Sequence, residues 1–412
     1  MLRFAMICLL PLILLSACGK GSVPPISPEK VFADTENAIN THYFEGPDSQ
    51  PADFAKLYGA ALASLETPVA DKADRANLVK AIQAQGEAKV RERTYRALGS
   101  FLSALPGTND FTRPEGLLLV EDKERQAGIG VLLTRQGPGR FLVLDTLEGS
   151  PAMLAGIKPG FVLKTIDGNE VKDMDIEEVA GRIRGKEGSS VKLSFLGGDA
   201  EPRRGKINLI NYSNNTWATS TGGQVEILTL RTALPGAADD LRNFLKQMGT
   251  RSAFVLDLRK LQQGDYEECF KIADLFVGKR KIGAMISKGS TREMQSDGDI
   301  MFTGPIYVLV GKNSSPAADV LAAAIRSSLE VNLIGTDRPG LAYLTEHVMI
   351  DGGIQLHITR GVIADGDNYL LPRRAVKMDI NVDDYLPPGP PGPKPSPEDP
   401  AHKQLMTMLG LK

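Results

Sequence analysis

Residues 304–345 read GPIYVLVGKNSSPAADVLAAAIRSSLEVNLIGTDRPGLAYLT. The segment opens on a short apolar run rich in β-branched residues, 306–310, of the length and composition of a buried strand. A polar turn at 311–315 follows, and Pro316 suits the first turn of a helix, where a missing N–H costs nothing. Residues 317–328 have the composition of a packed helix, 331–334 of a second strand and 335–340 of a loop. Strand, tight turn and helix form a place where hydrolases put a nucleophile, because a helix N-terminus favours developing negative charge.

This stretch resembles the active-site core of the carboxy-terminal processing (tail-specific) serine proteases. That family reads Gly-Ser-Ala-Ser-Ala-Ser-Glu at the turn and Gly-Glu-Lys-Thr-Phe-Gly-Lys-Gly after the second strand. The resemblance implies a nucleophile at the last Ser of the first motif and a general base at the second Lys of the other. Laid over the chain without gaps, the nucleophile falls on Ala318, the acid after it on Asp319 and the base on Leu341. The 23 residues from 318 to 341 are a separation the family uses. Its assisting Gln falls on Thr345. Ala318 has no oxygen or sulfur with which to form an acyl-enzyme, and Leu341 accepts no proton. Ser314 and Ser315 read as turn or helix-capping hydroxyls, since a nucleophile also needs a base at fixed geometry.

The 412 residues suffice for two or three domains. Charged residues make up 24% with a net charge of −2, which gives no electrostatic case for nucleic acid or a polybasic membrane patch. Residues 1–17 read as a signal peptide, with Arg3 ahead of an apolar stretch too short for a transmembrane helix. The run LSACG at 15–19 resembles a bacterial lipobox and implies cleavage before Cys18, its lipidation and anchorage by acyl chains. Gly19, in place of Asp, resembles an outer-membrane sorting signal if the cell is Gram-negative. Of three cysteines, Cys269 alone then remains in the mature body, so no internal disulfide is expected. Cys269 shares a helical face with Ile272, Ala273 and Phe276 and reads as a core residue.

Residues 18–30 read as a Pro-containing linker and 31–115 as a helical N-terminal region. Residues 116–200 hold a module similar to a PDZ domain. Gly128, Ile129, Gly130 and Val131 match its carboxylate-binding loop and first groove strand. EGSPA at 148–152, AGIKPG at 155–160 and LKTIDGNEV at 163–171 match the motifs that follow, and 174–184 the groove helix. The resemblance implies β-augmentation: a peptide adds as a strand along 131–134 while its terminal carboxylate meets backbone N–H groups of the glycine loop. The start of the helix, near Asp175 and Glu178, is expected to help set side-chain preference.

Residues 201–385 read as the protease-like core and 386–412 as a Pro-rich tail with a short helix. After the strand at 252–258 the family continues with Asn-Asn-Pro-Gly-Gly, whose glycine region supplies an oxyanion-hole N–H; here only Gly264 survives of it. Asp257 and Arg259 read as fixing that loop. DGG at 351–353 signals a hairpin, and His347 and His357 fall in strands without a ligand cluster, so neither metal nor cofactor is expected. The fold class is α/β (α+β, multidomain), with a ClpP/crotonase-like core implied by the resemblance. The function implied is a lipid-anchored pseudoprotease of the bacterial envelope whose partners are peptide or protein C-termini. The alternative is an active serine endopeptidase using a displaced nucleophile.

Overall fold

A computed structural model describes residues 23–66, 72–121, 127–135, 139–146, 150–196, 198–200, 216–220, 225–248, 251–261, 263–311, 314–326, 331–382 and 400–409. Residues 1–17, Cys18 and the Pro-rich stretch 385–399 lie outside them.

The N-terminal region is a small helical bundle: α1 (Pro28–His42), α2 (Phe54–Ser64), α3 (Arg75–Gln83) and α4 (Val90–Ser103). Caps set its helix starts. Ser27, Asp53 and Asp74 each accept a backbone N–H of the first turn with their side chains. Phe32, Leu57, Leu98 and Phe101 fill its core, with Phe32 and Tyr58 packed edge-on against Phe101. The linker expected over 18–30 is shorter than its composition suggests. Pro28 and the two residues after it already form the first turn of α1, and 23–27 are docked on the body.

Strand β1 (Asp110–Thr112) and helix α5 (Pro114–Glu121) lead into the PDZ-like module. Its elements are β2 (Val131–Arg135), β3 (Phe141–Thr146), α6 (Pro151–Leu154), β4 (Val162–Ile166), β5 (Asn169–Glu170), α7 (Ile176–Ile183), β6 (Leu193–Phe195) and β7 (Gly198–Ala200). The sheet runs β2-β3-β4-β6-β7, so β2 is an edge strand. Ile129, Phe141, Val143, Leu163, Val179 and Ile183 form a core of its own.

The remaining described residues form two large sheets with helices between them, and a short two-stranded parallel pair. Its elements begin with β8 (Thr216–Ser220), β9 (Val225–Thr229), β10 (Thr232–Ala233), α8 (Ala237–Gln247), β11 (Ala253–Asp257), β12 (Gln263–Gly264) and α9 (Tyr266–Asp274). The chain continues through β13 (Lys281–Ser287), β14 (Ser290–Gln295), β15 (Ile306–Val310), α10 (Pro316–Ile325) and β16 (Val331–Gly335). It closes with β17 (Tyr343–Ile350), β18 (Ile354–Asp365), β19 (Ile380–Asn381) and α11 (Pro400–Met408).

The central sheet runs β19-β16-β15-β11-β9-β8, parallel except at β8. Its inner strands β11 and β15 are buried along their whole length, as a sheet covered on both faces requires. One face meets α8, α9 and α10 in the largest core. The other is covered by α11, whose Leu405 is completely buried against Val255, Leu309 and Ile334. The second sheet, β1-β18-β13-β14 with β17 on β18, packs over the far side of α9 and α10. The contact is close enough that a Cβ on Gly283 would sit 2.4 Å from the Phe270 ring. The other end of β18 packs on the helical bundle through Ile354, Leu356 and Ile358.

Candidate functional site

Three loops meet where the parallel strands β11, β15 and β16 end at their carboxyl edge, the position at which open α/β sheets bind ligands. The first leaves β11. The Arg259 guanidinium donates to both carboxylate oxygens of Asp257, at 2.9 and 2.7 Å, and both residues are buried. Burial raises the Asp257 carboxyl, but the charge and hydrogen bonds of Arg259, with the charge of Lys260, together outweigh it and hold the group below its usual range. The pair fixes the loop, as its sequence position suggests.

The second loop leaves β15. Ser314 Oγ donates to the Leu258 carbonyl at 2.9 Å and accepts the Gly311 N–H at 3.0 Å. The first bond ties the turn to the loop after β11 and the second closes the turn itself, and Ser314 is 5% exposed. Ser315 is the N-cap residue of α10, yet its side chain makes no capping bond. Its Oγ is buried and has no hydrogen-bond partner among the described residues. Among the described residues no Lys or His is hydrogen-bonded to either serine.

Ala318 follows in the first turn of α10 and is completely buried. Ala317 beside it presses on Gly264: a Cβ there would lie 2.5 Å from that of Ala317. This close approach gives the surviving glycine a packing role. Tyr266, two residues on, has its hydroxyl pKa raised by burial, with Cys269 and Asp319 adding to the rise. Cys269 is itself wholly buried, which pushes its thiol up and leaves it inert as a nucleophile.

The third loop leaves β16 and supplies a residue that the sequence did not single out. Arg338 donates through Nε to Asp319 Oδ1 at 3.0 Å and through Nη2 to the Ser314 carbonyl at 2.6 Å. Its backbone pairs with Val376 in both directions. One buried arginine therefore ties α10 and the 311–315 turn together through its guanidinium and joins them to the closing segment through its backbone. Asp319 is 0% exposed and its Oδ2 has no hydrogen-bond partner among the described residues; burial raises its pKa, and Arg338 pulls it part of the way back down. Nothing in the pattern of 335–342 marks Arg338, because the pairing exists only once β16 lies beside β15.

Leu341, at the expected place of the base, is 44% exposed, in contrast with the sealed Ala318. Thr345, at the place of the assisting Gln, stands on β17 opposite Thr359 and lines a separate open cleft of about 540 Å³ with Asn109, Asp110, His347 and His357. The two histidines, read separately in the sequence, are direct cross-strand partners with rings stacked 4.6 Å apart. Burial, and then His347, lowers the His357 pKa to about 4. Among the described residues no group of three or more His, Cys, Asp or Glu is arranged to hold a metal ion.

In the PDZ-like module, Gly128 and Gly130 are partly exposed, Ile129 is buried and Val131 opens the edge strand β2. Gly130 takes a φ of +74°, which a side chain would strain. The Ile129 carbonyl accepts the Ala152 N–H at 2.8 Å and the Gly130 carbonyl the Ser150 hydroxyl at 3.3 Å, so the loop is held by the start of α6. Asp175 and Glu178 do not stand open to a ligand. Asp175 caps α7 through the Glu178 N–H at 2.7 Å and accepts the Arg113 N–H at 2.8 Å. Glu178 is buried and bound by Arg182.

Comparison with known proteins agrees with this architecture. Residues 221–382 match the model of peptidase family S41 and residues 143–196 that of a PDZ domain. The chain thus holds one region similar to the peptidase S41 core and one similar to a PDZ domain, and it resembles the carboxy-terminal processing proteases. It is 28% identical over 254 residues to the carboxy-terminal processing protease CtpA of Bacillus subtilis, a match covering 58% of this chain and 53% of that protein. It is 25% identical over 269 residues to a Staphylococcus aureus protein described as a probable CtpA-like serine protease, covering 62% and 52%. The chain thus spans about half the length of the curated relatives it matches. Among solved structures, a photosystem II D1 C-terminal processing protease superposes with a TM-score of 0.60 at 19% identity, over 88% of this chain and 95% of that one. At that identity the likeness concerns the fold.

Proposed function

We propose that the protein is a lipid-anchored pseudoprotease of the bacterial envelope, facing the periplasm from the outer membrane in a Gram-negative cell. Its PDZ domain binds peptide or protein C-termini, and the S41 core acts as scaffold or regulator. The observation that carries this is the methyl group of Ala318 in the first turn of α10, where the family places its nucleophile. Support comes from its surroundings. Leu341 and Thr345 replace base and assistant. Ser314 is committed to the turn, and the space behind Gly264 is filled by Ala317. For the peptide groove, support comes from the edge position of β2, which among the described strands pairs with β3 alone. A peptide strand can add on its open side.

The competing reading is a working peptidase that uses Ser315, favoured by its unpartnered hydroxyl at a helix N-terminus. A fluorophosphonate label combined with turnover of casein and a tagged peptide separates the two. The pseudoprotease gives neither label nor turnover. Labelling that disappears in Ser315→Ala establishes the peptidase instead. Titration with peptides bearing free or amidated C-termini tests the groove: tighter binding of the free carboxylate is expected, and no binding of either makes the protein a structural lipoprotein.

A further inference from the structure

We propose that the peptide groove is held close to the membrane, so that its partners are C-terminal tails displayed at the same bilayer. This rests on the lipid-anchored, peptide-binding reading above. The observation is a chain of contacts from the N-terminal segment to the groove helix. The Pro24 carbonyl accepts the Arg91 guanidinium at 2.6 Å, and the Ser27 N–H is donated to Asp351 at 2.9 Å. The Asp351 N–H is donated in turn to Asp34 on α1 at 3.1 Å. The segment lies on the β17–β18 turn so tightly that a Cβ on Gly352 would be 3.2 Å from Ile26, and one on Gly353 3.3 Å from Pro24.

The same point on Gly353 lies 3.4 Å from Pro114, the first residue of α5. Its neighbour Arg113 donates its N–H to Asp175, the N-cap of α7, at 2.8 Å. From there α5 runs along α7 with glycines at the contact. A Cβ on Gly116 would sit 2.9 Å from Asp175, and one on Gly181 2.5 Å from Leu119. The docked segment and the groove helix are therefore joined through Gly353, Pro114 and Arg113 in three successive contacts.

The reach follows from covalent geometry. Pro24 lies six Cα steps beyond Cys18, and a fully extended chain covers about 21 Å over that number. Adding the Pro24–Gly353–Pro114–Asp175 contacts, roughly 15 Å at 3.8 Å per Cα step and ordinary contact distances, the groove helix begins within roughly 35 Å of the lipidated sulfur. A tether this short turns encounter with a tail on the same membrane into a local search at high effective concentration, whereas a soluble tail gains nothing from it.

The test uses the full lipidated chain on vesicles of phosphatidylethanolamine and phosphatidylglycerol carrying an acceptor dye on the headgroups. A donor dye is placed at Asp173→Cys, beside the start of α7, or at Asp367→Cys, beyond the far end of the 12-residue β18, about 40 Å along that strand. Cys269 is buried and does not compete. Energy transfer from 173 is expected to be at least twice that from 367. Twenty Gly/Ser residues inserted after Lys20 should halve it or more. In a second arm, decapeptides ending in Ala, Val, Leu or Phe are offered in solution or on the vesicle through an N-terminal palmitoyl group. The anchored pool should bind at least tenfold more tightly, and the insertion should remove that advantage. Equal transfer from both sites, or no advantage for the anchored pool, overturns the proposal. A Cys18 without its lipid adduct by mass spectrometry sinks the anchoring reading, and absence of binding in both pools sinks the peptide-binding reading; either takes the proposal with it.

Discussion

A buried ion pair is judged by what its removal leaves behind. Arg338→Leu leaves Asp319 wholly buried with neither oxygen paired, and it frees the Ser314 carbonyl. Breaking such a pair costs about 3–5 kcal/mol, whereas replacing both partners by apolar residues costs far less. Urea denaturation of Arg338→Leu should therefore show a large loss, and Arg338→Leu with Asp319→Leu a substantial recovery. His357 gives a pH prediction. The unfolded chain takes up a proton below the ordinary value of 6.5, the folded protein only below about 4, because the ring is buried beside His347 with Asp110 partly offsetting. Stability from this residue is intact above pH 6.5 and falls as pH drops from 6.5 to 4. At about 1.4 kcal/mol per pH unit the loss is at most roughly 3.5 kcal/mol, less for the ring's partial exposure. Denaturation at pH 7, 5.5 and 4 should show this slope, flattened in His357→Gln.

At the scale of elements, the contact between α5 and α7 depends on glycine. Gly181→Ala gains up to about 1 kcal/mol of helix propensity. It also drives a methyl group into Leu119, 2.5 Å away, and overpacking of this kind costs about 1–3 kcal/mol. A net loss is expected on denaturation. Adding Leu119→Ala should return part of it, a coupling that a double-mutant cycle reads directly. The strands and helices themselves were largely legible. Ile306–Val310 is the strand its β-branched run announced, and α10 starts at the Pro316 that marked it. The groove helix is two residues shorter at its start than 174–184 suggested, since Asp175 serves as cap rather than helix. Asp175 and Glu178 looked like ligand-facing residues because a sequence shows charge but not burial. Their carboxylates are consumed by a cap, a backbone N–H and an arginine.

At the scale of the whole molecule, the C-terminal helix α11 closes the second face of the central sheet. Leu405 is fully buried there, so Leu405→Ala should cost about 2–5 kcal/mol by loss of contacts and a residual cavity, measured as a lower urea midpoint. The sequence by itself determined the parts: a helical region, a PDZ-like module, the alternation of strand and helix, and a resemblance to an S41 core, on which the proposal sets Ala318, Leu341 and Thr345 at the reactive positions. Those features are local in the chain or fixed by spacing, so periodicity and motif can carry them. Only the tertiary structure decided that Arg338 clamps Asp319, that His347 stacks on His357, and that Pro24, Gly353 and Pro114 share a corner. The members of each set lie 10 to 329 residues apart in sequence. Strand register and helix packing bring them together, and no local pattern of residue types encodes which distant backbone will lie alongside.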